Sequence, residues 1–402
     1  MPVASAACGA IAHPSETTGN APVVAPLRIV TMLYGFDPGG VERVAARLHA
    51  AWTNAGPQAE ILVSDSRVAP PFPLRNVSRA APRSHDRGLF AFLVLVMALR
   101  RRVRADRPDV IFCAGNTYAV VAVALRLLVG PACPPIVAKI SNCLVRLDMP
   151  VTVRWFYRRW LRIQGRWIDH FVGLAPAMRD EIAGLMRVPH DRISVIEDPA
   201  LATDDLAYLA DARDAAQRDQ LGRHYLAVGR LAPQKNFALL ITAFRQIAAP
   251  GDLLTILGEG AERAMLEAKV AALGLSDRVR MPGHVASTAA WLAQADALVL
   301  SSDYEGVPAV LIEALAAGIP IVSTRCCVSI DDLLGHGRYG RVVPVGDIAA
   351  LGEAMAAAVE SEPVATVAGR RASAEPYTID RASARYIAVM RDLVDARRVA
   401  AG

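Results

Sequence analysis

Apolar positions fall into short unbroken runs separated by longer stretches of helical period over most of this chain. Leu27 to Leu33 reads as a buried strand, followed by a glycine-containing turn and a helix from about Val41 to Asn54. Further strands are expected at Gln58–Val63, Asp109–Cys113, Ile136–Ile140 and His170–Gly173, with helices at Leu89–Arg104, Thr117–Val129 and Val153–Arg166. The pattern breaks around Ile193–Pro199, and a polar segment rich in alanine and aspartate runs to about Arg223. Alternation then restarts. Strands are expected at Tyr225–Val228, Leu253–Leu257, Arg278–Met281 and Ala297–Leu300, and helices at Phe237–Ala248, Ala261–Leu273 and Thr288–Gln294. Apolar strands alternating with helices imply parallel βαβ units.

The fold class that follows is α/β, with two Rossmann-like doubly wound domains facing across a cleft. Residues 1–26 read as a loose leader, 27–198 as the first domain, 199–222 as a hinge and 223–379 as the second domain. The last stretch, 380–402, holds an amphipathic helix from about Asp380 to Val399, with Tyr386, Val389, Met390 and Leu393 at helical spacing. It either crosses back onto the first domain or stays on the second. Ligands of such sheets sit at the carboxyl ends of the strands, which here means the cleft.

Length is consistent with this, since 402 residues suffice for two domains with full cores. Mean hydropathy is +0.29. No apolar run approaches the roughly 20 residues of a spanning helix, and Leu89 to Leu99 is cut off by Arg100, Arg101 and Arg102. The alanine-rich start lacks a basic region, so no signal peptide is expected. Six cysteines stand at 8, 113, 133, 143, 326 and 327 without a CxxC pair, which suggests neither a zinc site nor a disulfide framework. A reducing cytoplasm fits this best.

Charge alters the picture of partners. Residues 1–198 carry 24 basic against 15 acidic side chains, while the remainder carries 20 against 24. The excess in the first half suits an anionic partner, such as a phospholipid surface or a phosphate-linked acceptor. No nucleic-acid-binding signature accompanies it, so no nucleic-acid partner is expected. Lys139, Lys235 and Lys269 are the only lysines.

Four segments carry candidate chemistry. In Ser301 to Ser323, Glu305 stands beside Gly306, Val307 and Pro308, and Glu313 follows inside a short helix ended by Gly318 and Pro320. Free amides at a helix start attract a phosphate, while carboxylates accept hydrogen bonds from hydroxyls. A sugar nucleotide offers both groups; two solvated glutamates are the plainer alternative. In Ala227 to Asn236, Gly229 turns the backbone, and Arg230 and Lys235 both reach toward the cleft from a loop containing Pro233. A leaving diphosphate needs such cations, each charge-assisted bond contributing about 1.5–3 kcal/mol. Gly258 closes the next strand and permits close backbone approach to a ligand, and Gly283-His284-Val285 offers backbone contacts to a base. His284 reads more readily as a packed or partly exposed histidine than as a catalyst.

In the first half, Gly39 and Gly40 at a helix start suit a phosphate or acceptor sugar, and the turn lacks the GxGxxG of dinucleotide binding. Lys139 and Asn142 end a strand facing the cleft, Lys139 as a diphosphate contact and Asn142 as a donor or acceptor contact. Phe156, Trp160, Ile163 and Trp167 share one face of a helix whose other face carries Arg154, Arg158, Arg162 and Arg166. That pattern suits either a membrane interface or a core-packed helix with a solvated arginine face. No DxD, HExxH, GxSxG or Walker A sequence occurs, so no metal is expected.

Together these residues resemble the family 4 glycosyltransferases of the GT-B fold, over about residues 27 to 395. The most specific part is GRLAPQKN paired with the E-x7-E of Glu305 and Glu313; GGVERVAARL from Gly39 to Leu48 resembles that family's first glycine loop and helix. The resemblance implies retaining transfer of a sugar from a nucleotide-sugar donor to a saccharide or lipid-linked acceptor, without metal. Arg230 and Lys235 would hold the diphosphate, Glu313 the ribose hydroxyls and Glu305 a hydroxyl of the donor sugar. Gly306 to Pro308 would lie along the donor, which sits mainly on the second domain, with the acceptor on the first. Envelope polysaccharide or glycolipid synthesis is the expected setting, at the cytoplasmic side and peripheral to the membrane. Ser329-Ile330-Asp331-Asp332 lacks the glycine and proline that many relatives carry there, and Asp198 replaces their hinge asparagine. A sugar-nucleotide epimerase on the same fold and a catalytically silent donor- or membrane-binding partner are the alternatives. A two-glutamate hydrolase leaves Arg230 and Lys235 without a task.

Overall fold

In the computed structural model, thirteen strands form two parallel sheets among the described residues, which are 25–36, 39–64, 68–80, 88–146, 149–217, 222–360 and 365–401. Most of the expected leader, with Cys8, lies outside them. The first domain contains β1 (Arg28–Leu33), β2 (Gln58–Val63), β3 (Val77–Arg79), β4 (Val110–Cys113), β5 (Ile136–Lys139), β6 (His170–Gly173) and β7 (Ile193–Val195). Their spatial order is β3-β2-β1-β4-β5-β6-β7. The second domain contains β8 (His224–Val228), β9 (Leu253–Leu257), β10 (Val279–Gly283), β11 (Ala297–Leu300), β12 (Ile321–Thr324) and β13 (Arg341–Val343), in the order β10-β9-β8-β11-β12-β13. Every residue of β4, β5, β6, β9, β11 and β12 is buried, as expected of strands covered by helices on both faces.

In each sheet the chain runs outward from a central strand and then returns to that strand's other side. The reversals lie between β1 and β4 and between β8 and β11. Loops leaving those strands diverge, which opens a crevice where ligands of doubly wound sheets bind. β3, β7 and β13 are three-residue edge strands with no apolar run to announce them. The helices Pro176–Met186, Ile348–Glu360 and Val367–Ala374 add further cover.

The segment around 199–222 is not a bare linker. Thr203–Ala215 is a helix packed against the helices Ala289–Gln294 and Ala309–Ala317 of the second domain. The crossing itself is narrow: Leu201 N donates to Tyr377 O at 3.2 Å, and Ile379 N donates back to Leu201 O at 2.8 Å. The two chain passages between domains therefore run side by side. Beyond them the helix Ile379–Ala401 packs on the first domain, sending Tyr386 and Met390, both fully buried, into its core. Tyr386 meets Trp52 and Phe112 edge-on, with centroids 6.1 and 5.5 Å away. Aromatic contacts of this geometry add about 0.5–1.5 kcal/mol each beyond burial.

The helix Val151–Trp167 departs from its expected faces. Leu161, Gln164 and Gly165 form its buried stripe, and a Cβ on Gly165 would lie 2.1 Å from Met186 O. Trp160 and Trp167 are partly buried against the core, but Phe156 is 67% and Ile163 44% exposed. Close approach to Pro176–Met186 demands the small glycine at position 165.

Candidate active site

The loop after β8 and the loop after β11 are laced into one unit. Pro233–Lys235 forms a single tight turn, and Asn236 stops it in the left-handed region at φ 46°, its side chain accepting from Leu239 N at 3.2 Å. Asn tolerates that conformation and caps the following helix, Phe237–Ile247. Asp303 N donates to Gln234 O at 2.8 Å, Gln234 Nε2 to Tyr304 O at 2.8 Å, and Ser301 Oγ to Lys235 O at 2.8 Å. These bonds bring Lys235 Nζ to 2.6 Å from Glu305 Oε1, which also accepts from Ser302 Oγ at 2.7 Å. Both charged side chains are largely buried. Arg230, in contrast, is exposed and makes no ion pair among the described residues.

The neighbouring glycines serve the fit between these loops. Gly258 has φ +138°, and a Cβ there would sit 1.9 Å from Gly229 O. Its N–H donates to Gly283 O at 2.8 Å. The close backbone approach anticipated at Gly258 is thus made to the loop of Arg230 and Lys235. Val285 packs partly buried on the second core, and His284 is exposed.

Glu313 lies on the helix Ala309–Ala317, which starts after Pro308 and stops at Gly318 with φ 79°. Thr288 Oγ1 donates to its Oε2 at 2.7 Å. Arg43 Nη2, from the helix Gly40–Asn54 of the other domain, lies 3.8 Å from its Oε1. Neither Thr288 nor Arg43 was flagged by sequence. Thr288 carries no motif; Arg43 follows the Gly39-Gly40 turn closely enough to have been considered. Ser302 stands three residues before Glu305, a spacing that offered a signal.

Across the cleft, Asn142 forms a bridge with Gly306, and Cys143 N donates to Glu305 O at 3.3 Å. A Cβ on Gly306 would lie 2.0 Å from Ser141 O, so glycine is what lets the two backbones meet. Val307 packs against the cores of both domains. Glu181 supports this loop from beneath, accepting from Leu144 N and Val145 N at 2.9 Å each. Burial pushes its carboxyl up, against the pull of those two amides. Arg146 lies 4.4 Å over the Tyr304 ring, and Asp332 accepts from Ala177 N at 3.1 Å. Ser329-Ile330-Asp331-Asp332 therefore contributes a contact between domains at a helix N-terminus. Gly39 and Gly40 are exposed at the start of Gly40–Asn54, with open space around Gly40.

Lys139 has a different role from the expected one. It is 2% exposed and its Nζ pairs with Asp198 Oδ1 at 3.3 Å, inside the hinge. A cation enclosed with its own carboxylate is not offered to a diphosphate. Among the described residues no group of three or more His, Cys, Asp or Glu is arranged to hold a metal ion, and no helix is long and apolar enough to cross a membrane.

Comparison with known proteins agrees with the two-domain division. Residues 38–199 match the family described as Glycosyltransferase Family 4, and residues 211–375 match Glycosyl transferases group 1. The lipopolysaccharide core biosynthesis glycosyltransferase LpsE of Rhizobium meliloti is 37% identical over 122 residues, 30% of this chain and 35% of that protein. The putative colanic acid biosynthesis glycosyltransferase WcaL of Salmonella typhimurium is 36% identical over 141 residues, 33% of this chain and 34% of that protein. Each alignment thus spans about a third of the relative's length. Among solved structures, HepE of Anabaena in complex with UDP and glucose superposes with a TM-score of 0.71 at 18% identity, covering 91% of this chain and 99% of that one. Sucrose-phosphate synthase of Thermosynechococcus elongatus gives 0.75 at 18% identity, covering 92% and 100%. At such identities the superpositions establish the two-domain GT-B fold.

Proposed function

Since this chain belongs to the family 4 glycosyltransferases, we propose that it is a transferase that moves a sugar, with retention, from a nucleotide-sugar donor to a saccharide or lipid-linked acceptor in bacterial envelope glycan assembly. The observation that carries this reading is the Lys235–Glu305 pair at the carboxyl ends of β8 and β11. Lys235 supplies a compact charge next to exposed Arg230, whose planar fork suits a diphosphate. Charge on that leaving group grows as the glycosidic bond breaks, so these cations bind the transition state more tightly than the ground state. Glu305 orients Lys235 and offers its other oxygen to a donor-sugar hydroxyl. Glu313, one oxygen held by Thr288, offers the other to ribose. HepE, crystallised with UDP and glucose, supports a nucleotide-sugar donor here. The absence of a DxD motif supports transfer without a protein-bound metal.

The acceptor side falls to the basic first domain. There Leu89, Phe90 and Met97, Leu127 and Leu128 of the adjoining helix, and Trp155 and Phe156 are exposed. Apolar side chains among arginines suit peripheral contact with an anionic membrane at the cytoplasmic face. That placement fits a lipid-linked acceptor.

Thermal shift against a set of nucleotide sugars tests the reading, because a ligand bound only by the folded state stabilises it, by about 2.7 kcal/mol at a hundredfold excess over Kd. At least one donor is expected to raise the melting temperature. Lys235→Ala should then lower turnover about a hundredfold with its own melting curve preserved, and NMR of the product should show the donor's anomeric configuration. Rates within threefold of the parent would remove Lys235 from the mechanism.

A further inference from the structure

Sulfur also meets across the cleft. Cys143 lies on the loop after β5 of the first domain, and Cys326 and Cys327 follow β12 of the second. All three are buried. Cys143 packs in the apolar cluster of the opposite domain, together with Cys326 and Cys327. The Glu305 peptide lies between them: Cys143 N donates to Glu305 O at 3.3 Å, and Glu305 N donates to Cys326 O at 3.1 Å. The Cys143 and Cys327 side chains are neighbours in that cluster, each shifting the other's titration. Cys327 Sγ lies 3.0 Å from Ser329 Oγ, which donates to Gly306 O at 2.6 Å, and Gly306 is bridged to Asn142. One backbone network thus fixes a thiol of each domain on either side of the same junction.

We propose that Cys143 and Cys327 are an oxidisable pair, joined by a peroxide-class oxidant into a disulfide that fastens the two domains together across the cleft. The neighbouring Cys327 and burial raise the Cys143 thiol, while Cys327, drawn down by Cys143, is raised on balance by Cys326 and by burial, so neither reacts while the junction is shut. Beside these residues the domains meet through Val307, Arg146 over Tyr304, Asp332 at Ala177 N, Arg47 with Asp205 and the 3.8 Å Arg43–Glu313 pair. Opening exposes Cys143. Peroxide then oxidises its thiolate to the sulfenic acid, and one oxygen leaves as water. On reclosure the Cys327 sulfur attacks the sulfenic sulfur, the S–S bond forms and a second water departs. Two thiols and one peroxide thus give one disulfide and two waters, and a dithiol reverses the change. A link between residues 143 and 327 restrains the opening that ligand entry and product release need. The link itself does not depend on the transfer reaction proposed above.

The test uses the full-length protein, treated with hydrogen peroxide, alkylated, denatured and digested with trypsin without reductant. Thiol titration of the denatured protein should fall by two from the six cysteines of the chain. Residues 140–146 should be recovered linked to residues 326–338, and dithiothreitol should release them. The second peptide contains both Cys326 and Cys327, so fragmentation and a Cys326→Ser variant assign the bond. That variant should still form the link, whereas Cys143→Ser and Cys327→Ser should abolish it. A bond between Cys326 and Cys327, sulfinic acid at Cys143 with Cys327 still free, or no linked peptide in the parent protein would each overturn the proposal, and the parent's map decides even where a variant fails to fold.

Discussion

Lys139 and Lys235 carry the same charge into different surroundings. Lys139 and Asp198 are 2% and 6% exposed, so removing one leaves the other buried and unpaired. Breaking such a pair costs about 3–5 kcal/mol. Lys139→Ala is expected to lose that much in urea unfolding; a change below 1 kcal/mol would mean that water already reaches Asp198. Lys235 borders the cleft, and its loss should register in turnover. The sequence placed both lysines at strand ends and could not separate them. Which lysine is enclosed depends on where the hinge strand returns, more than fifty residues later.

At the scale of elements, strand ends depend on one another. Gly258→Ala must place a methyl against Gly229 O at a backbone angle that side chains rarely adopt. It is expected to destabilise the protein by about 2–4 kcal/mol and to weaken donor binding with it. A melting curve equal to the parent's would mean that the β8 and β9 loops move independently. The helix Val151–Trp167 supplies a second case. Trp155 and Phe156 pack edge-on at 4.9 Å and are 53% and 67% exposed, with Arg159 4.6 Å over the Trp155 ring. Trp155→Ser with Phe156→Ser should reduce cosedimentation with phosphatidylglycerol vesicles roughly tenfold, and leave the melting temperature unchanged. Equal sedimentation would discard the membrane contact. Periodicity found this helix to within two residues at its start. It left open whether the aromatic face is packed or exposed, because the buried stripe is set by Gly165 meeting Met186, a contact that no local pattern records.

For the whole molecule, acid sensitivity follows from buried histidines in both domains. Burial lowers His170 to about 4, its Nε2 lying 2.8 Å from Ser194 Oγ. His49 and His224 are lowered for the same leading reason. Unfolded histidine titrates near 6.5. Between the two values the unfolded chain binds more protons, so stability is full above about 6.5 and is lost as pH falls toward 4. The loss from His170 alone is up to about 3 kcal/mol. Urea midpoints from pH 7.5 to 4 should decline, and His170→Gln should flatten the decline; parallel curves would remove His170 as a cause. Cross-domain contacts such as Asn142 with Gly306 or Asp332 with Ala177 were beyond sequence, since each partner is unremarkable alone.

What the chain determined by itself was the alternation of strand and helix, hence two doubly wound sheets, and the pairing of a basic loop with two glutamates that marks the family. Those signals are local, written in spacing and turn residues. The tertiary structure decided which of the candidate cations faces the cleft, which domain receives the terminal helix and which cysteines become neighbours. Burial and long-range contact depend on how two separately folded sheets come together, and no window of sequence contains both sides of that meeting.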